Sequence, residues 1–233
     1  MTALHLVATL EILLIFWNQF FLLRLKHTQD SSARPRAYWV TMISEWVVTA
    51  VALEVVGFGA LWYARLWPSK SPWKLGTYTI AAMAILSVAG MLLPLAMARK
   101  QAGQAALRRA VEKMRFLLPQ SRYERLLWVA LSVTAGFCEE VLFRAFLLQY
   151  LHAAWRLSLG LAILLACLMF GAGHLYQGVK GGVATAAVGF LLFLFYIGTG
   201  NLLLPVILHA FADSRVLLFL PWVEKKSAAI AQC

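Results

Sequence analysis

Three short patterns in the C-terminal half of the chain set carboxylates and imidazoles into otherwise apolar sequence. They are Glu139-Glu140-Val141-Leu142-Phe143-Arg144, Phe170-Gly171-Ala172-Gly173-His174 and His209-Ala210-Phe211-Ala212-Asp213. Peptide hydrolysis needs an activated water, a group that steadies the oxyanion and a proton for the leaving amine. Carboxylates and imidazoles supply all three. On a regular helix Glu140 and Arg144 stand one turn apart and share a face, which makes them an ion pair. Glu139 is turned about 100° away and is expected to face a different neighbour. One acid is then neutralised locally while the other is left available. Phe170 lies one turn before His174 and is expected to pack on it, and the small residues between them allow another helix to approach closely. His209 and Asp213, at i and i+4, share a face.

Each group has a blander reading. A lone His174 is more often a hydrogen-bonded or interfacial histidine, and a His–Asp pair on one helix can be a structural hydrogen bond. Two adjacent carboxylates in hydrocarbon are harder to explain away, because each ionisable group there costs a few kcal/mol or more. The other acids have cheaper explanations. Glu45 is placed near a span end within reach of the interface, and Glu11 and Glu54 are expected to be protonated or bonded to a neighbouring helix. Arg215 is expected to snorkel or to pair with an acid. There is no Gly-x-Ser-x-Gly elbow for a serine nucleophile, and Cys138, turned away from Glu139, reads as packing.

The elements that must position these residues are membrane helices. The chain is 62% hydrophobic and 13% charged, too little polar residue to cover a soluble domain of 233 residues. A span takes about 20 mostly apolar residues, and seven are expected at about 4–23, 41–64, 77–98, 127–150, 158–175, 183–199 and 202–222. The fold class is all-α, a polytopic transmembrane bundle forming one integral membrane domain over 1–233. Three spans occupy 1–100, and the chemistry-bearing patterns occupy 120–222. The first apolar run reads as a retained span rather than a secretory signal. No internal repeat is evident, which weakens an inverted-repeat transporter. The three cysteines form no disulfide framework.

The net charge of +11 is carried largely by loops, which suits topology and anionic membrane lipid rather than nucleic acid. Arg24, Lys26, Arg34, Arg36 and the basic stretch from Arg99 to Arg125 fall on one side, with Lys180, Lys225 and Lys226. Arg65, Lys70, Lys74 and Arg156 fall on the other. The asymmetry puts the N-terminus outside and the C-terminus inside. Segment 101–118 carries Leu107, Ala110, Val111, Met114, Leu117 and Leu118 at helical spacing, with Arg108, Arg109 and Lys113 elsewhere on the wheel. It is expected to be a cytoplasmic interfacial helix or else a polar connector. Pro119 stops it, and Ser121 can cap the next helix.

Glu-Glu-x-x-x-Arg, Phe-x-x-x-His and His-x-x-x-Asp, in this order and each in its own hydrophobic segment, resemble the CPBP intramembrane peptidases. These include the CAAX prenyl endopeptidases and the Abi bacteriocin-processing proteins. The resemblance covers roughly residues 120–220, and the first three spans are similar only in being hydrophobic. It implies a glutamate-type peptidase in which Glu139 is the general base and His174 holds the water. It further implies that His209 and Asp213 steady the oxyanion while Glu140 and Arg144 brace the site. The family often has Asn where this chain has Asp213. An ionised carboxylate would repel the oxyanion, so Asp213 must be protonated or act by orienting His209, the preferred role. The implied substrate is a protein or peptide with a membrane-embedded or lipidated C-terminal segment, and the implied location is a bacterial cytoplasmic membrane. No cofactor is expected. The alternative is zinc held by Glu139, His174 and His209. The rival functions are a proton-coupled transporter or channel using the same Glu/His cluster, and a non-enzymatic immunity or scaffold protein.

Overall fold

In the computed structural model, residues 2–28, 30, 32–62, 75–221 and 223 are described. They form helices α1 (Thr2–Leu25), α2 (Ala33–Val56), α3 (Phe58–Trp62), α4 (Thr77–Met97), α5 (Gln101–Met114), α6 (Arg122–Glu139), α7 (Leu159–Ala172), α8 (Val179–Thr199) and α9 (Leu203–Ser214). α6 runs on as a π-helix from Glu140 to Leu147 and winds another π turn at Tyr150–Ala154. Six helical runs among the described residues are long and apolar enough to cross a bilayer. The protein is an all-helical, polytopic membrane bundle.

Local chemistry sets most helix ends. α2 begins at 33 rather than 41, because Pro35 lies in the first turn, where backbone N–H groups lack helical partners anyway. It stops at Gly57, whose φ of 90° is one that side-chain-bearing residues rarely adopt. The end of the expected span, 63–64, lies outside the described residues. Ser121 caps α6 reciprocally: its hydroxyl accepts from the Glu124 N–H at 3.1 Å, and Glu124 accepts the Ser121 N–H at 3.0 Å. Glu124 also pairs with Arg34 at 3.2 Å, tying α2 to α6. The run opened by this cap is 33 residues long, Arg122–Ala154, and overshoots the expected 127–150 at both ends.

The expected span 158–175 contracts to the 14 residues of α7. At 1.5 Å per residue α7 reaches about 21 Å, short of the roughly 30 Å hydrocarbon core. The chain then turns through a single 3-10 turn, Leu175–Gln177, into Gly178 at φ 90° and α8. α7 and α8 touch backbone to backbone, since a Cβ on Gly171 would lie 2.7 Å from the Gly182 carbonyl oxygen and 2.8 Å from the Ala186 Cβ. α6 meets α9 in the same way at Gly136, where a Cβ would lie 2.8 Å from the Ala210 Cβ. All eight residues of the first π-helical stretch are buried, and the six apolar ones join Phe170, Phe193 and Tyr196 in the main core.

α5 forms as the sequence periodicity requires, and Leu107, Val111 and Met114 on its apolar face line a cavity shared with other helices. α4 has no buried residue, so it packs at the edge of the bundle.

Candidate active site

The cavity measures about 490 Å³ and is walled by helices from both halves of the chain. Glu139, His174, His209 and Asp213 all line it. Separate stretches of membrane helix thus bring the available carboxylate and both imidazoles to one space. Glu140 and Arg144, each 0% exposed, stand behind that wall.

Their arrangement differs from the helical-wheel expectation. Glu139 does not face a neighbour different from that of Glu140. Both carboxylates address His209, with Glu140 Oε1 at 2.7 Å from Nδ1 and Glu139 Oε2 at 3.6 Å from Nε2. Two features explain this. The imidazole offers nitrogens on two edges, so carboxylates pointing in different directions can flank a single ring. The close approach at Gly136 and Ala210 brings α9 near enough for it to do so. The π-helix begins at Glu140 itself, and its wider turns interrupt the regular α-helical wheel from there onward.

Glu140 does face Arg144 as expected, with Oε2 3.2 Å from Nε. The contact has ion-pair distance without hydrogen-bond alignment, and among the described residues none of the Arg144 nitrogens has a hydrogen-bond partner. Aromatic faces supply the rest. The guanidinium lies 4.0 Å from the centre of the Phe170 ring and 5.5 Å from that of Phe193. Such a cation–π contact is worth about 2 kcal/mol or more when desolvated.

Phe170 is the hub of the site. Its ring centre is 4.8 Å from that of His174 and meets the His209 ring edge-on at 5.9 Å. Gly189 of α8 makes the room: a Cβ there would lie 2.9 Å from Phe170 Cδ1 and 3.4 Å from Arg144 Nη2. Gly189→Ala is expected to push Phe170 off its seat, costing about 1–3 kcal/mol as overpacking. The check is the melting temperature of the purified variant, which should fall.

The tautomer of His174 follows from its surroundings. Nδ1 lies 2.8 Å from the Phe170 carbonyl oxygen and must donate to it, which leaves Nε2 as an acceptor. In His209, Nδ1 is committed to Glu140. Its Nε2 lies 3.6 Å from Glu139 and 3.6 Å from Asp213 Oδ2. At that separation Asp213 makes no hydrogen bond to the ring. The orienting contact expected of Asp213 is made by Glu140 instead.

Glu45 was expected at the interface, but it is 2% exposed and lines the same cavity, with Oε2 unpartnered. Its place in the sequence could have revealed this. In a helix spanning 33–56 it lies at the centre, whereas in one spanning 41–64 it falls near an end. Among the described residues, no group of three or more His, Cys, Asp or Glu side chains is disposed to hold a metal ion.

Comparison with known proteins bears on the same segment. Residues 121–215 match the family model described as "Type II CAAX prenyl endopeptidase Rce1-like". The match runs from the cap of α6 to the residue after α9 and contains all three patterns. No curated protein and no solved structure matches the chain.

Proposed function

From a segment, residues 121–215, that falls within the CAAX protease family, we propose that the protein is an intramembrane endopeptidase whose attacking water is activated by Glu139. The observation that carries this reading is the shared cavity, which Glu139, His174 and His209 all line. Glu139 accepts a proton from water, while His174 Nε2 accepts the other O–H and holds the nucleophile. The water oxygen attacks the scissile carbonyl carbon, and the carbonyl oxygen becomes an oxyanion. His209, as an imidazolium flanked by Glu140, Glu139 and Asp213, donates its Nδ1–H to Glu140 and meets the oxyanion with its Nε2–H. The proton taken by Glu139 passes to the departing amine as the C–N bond breaks. Asp213, 3.6 Å from Nε2, balances the charge of His209 rather than contacting the oxyanion.

The substrate class we infer is a protein or peptide whose C-terminal segment is membrane-embedded or lipidated. Leu22, Leu118, Val188, Leu192 and Phe219 give the cavity an apolar wall suited to such a segment. Loop cations favour the N-terminus outside and the cavity mouth near α5 on the cytoplasmic side.

The test compares the C-termini of membrane proteins in cells carrying wild type or Glu139→Gln. Wild type should generate truncated C-termini that the variant does not. Identical C-termini, together with proton flux in sealed vesicles lacking peptide, would instead favour a transporter. Cleavage by the purified protein is expected to persist after exhaustive dialysis against a chelator. Loss that is restored by added zinc would overturn the metal-free mechanism.

A further inference from the structure

The hydrolysis proposed above creates an oxyanion, and the two imidazoles offer it little. His174 uses its Nδ1–H on the Phe170 carbonyl and His209 uses its own on Glu140, so the imidazoles leave only His209 Nε2. Asp213 presents a carboxylate, which repels negative charge. Trp128 donates to the Asp213 carbonyl at 3.0 Å, Tyr38 to the Leu117 carbonyl at 2.5 Å and Ser132 to the Trp128 carbonyl at 2.8 Å.

Tyr176 is placed differently. It lies in the 3-10 turn immediately after His174, lines the cavity, and holds its ring centre 5.8 Å from that of the imidazole. Its hydroxyl oxygen accepts from Gln177 Nε2 at 3.2 Å, a bond that leaves the phenolic proton unspent. The same hydroxyl is within electrostatic reach of Asp213, Glu139 and Glu45, the carboxylates of the cavity. Burial, opposed in part by the Gln177 hydrogen bond and reinforced by those carboxylates, pushes the phenol above its ordinary range, so it stays an O–H donor at neutral pH.

We propose that Tyr176 is a second oxyanion donor, its phenolic O–H directed at the carbonyl oxygen of the scissile bond beside His209. The inference rests on the Glu139 hydrolytic reading and adds to it a catalytic residue outside the three sequence patterns. The O–H donates a hydrogen bond and keeps its proton, so the proton balance between water, Glu139 and the leaving amine is unchanged. It also accounts for a chain that places Asp at 213, because a neutral phenol supplies the donor that a carboxylate cannot.

Tyr176→Phe tests this, since it removes one oxygen and keeps the ring. Truncated C-termini are first identified in cells with wild type, and a peptide carrying one such cleavage site is then given to purified wild type, Tyr176→Phe and Glu139→Gln. Loss of one oxyanion donor should lower kcat about 100- to 1,000-fold, with KM and protein yield near those of wild type. A wild-type kcat for Tyr176→Phe, alongside an inactive Glu139→Gln, overturns the role of Tyr176 alone. A raised KM with unchanged kcat also overturns it, because that is lost binding rather than lost transition-state stabilisation. If wild-type cells yield no truncated C-termini, or Glu139→Gln cleaves at the wild-type rate, the hydrolytic reading falls and this inference falls with it.

Discussion

Replacing Glu139 with glutamine is expected to abolish cleavage while the protein accumulates in the membrane as wild type does. The substitution preserves shape and removes the one property the reaction needs, a carboxylate able to take a proton from water. A positioned general base contributes about 100- to 10,000-fold, so residual turnover should sit at or below detection. Stability should hold, because Glu139 makes no hydrogen bond through Oε2, and its side chain, 17% exposed, lies at the cavity wall rather than in the core. The measurement is the rate of product formation per mole of purified protein, with membrane abundance measured in parallel. A Glu139→Gln enzyme that keeps the wild-type rate would show that another group activates the water.

Arg144→Ala should act through the fold. Arg144 and Glu140 are both 0% exposed, and each is the other's charge partner at 3.2 Å. Removing the cation leaves the buried carboxylate with His209 as its remaining charge partner and strips its Oε2 side, a loss of the kind that costs about 3–5 kcal/mol. Whole domains have a stability of only about 5–15 kcal/mol, so abundance and thermal stability should fall steeply. Phe170 would also lose the guanidinium on its face and with it part of its hold on both imidazoles. Arg144→Lys should rescue poorly, since an ammonium cannot lie flat on a ring as a guanidinium does. Glu140→Ala adds a second defect: His209 loses the 2.7 Å contact that orients it, so activity per surviving molecule falls as well. Wild-type yield and melting temperature for Arg144→Ala would show that the pair does not brace the site. The contrast is the diagnostic feature. A change at Glu139 should remove activity alone, whereas changes at its neighbours in the motif should remove protein.

Much of this was legible before any coordinates. Hydropathy and length place the chain in lipid, the i, i+4 spacing joins Glu140 to Arg144 and Phe170 to His174, and Ser121 with Glu124 three residues on marks the cap of α6. Those relations lie within one helix or at its end, where sequence distance is also spatial distance. The match of residues 121–215 to a protease family model spans the same local patterns.

What escaped the sequence lies between helices. Periodicity assumes 3.6 residues per turn, so it could not register the π-helix that opens at Glu140. Nor could it show that Glu139 and Glu140 flank one imidazole, because that ring arrives on α9 through a contact between Gly136 and Ala210, 74 positions apart by number. Glu45 comes from α2, outside all three patterns, and α5 turns Leu107, Val111 and Met114 onto a cavity that exists only once the bundle closes. The sequence alone determined which groups are costly enough in hydrocarbon to need a purpose. The tertiary structure decided which of them share a space, because a charge's burial cost is set by its own residue and its surroundings' polarity, whereas its partner is set by the packing of helices far apart in the chain.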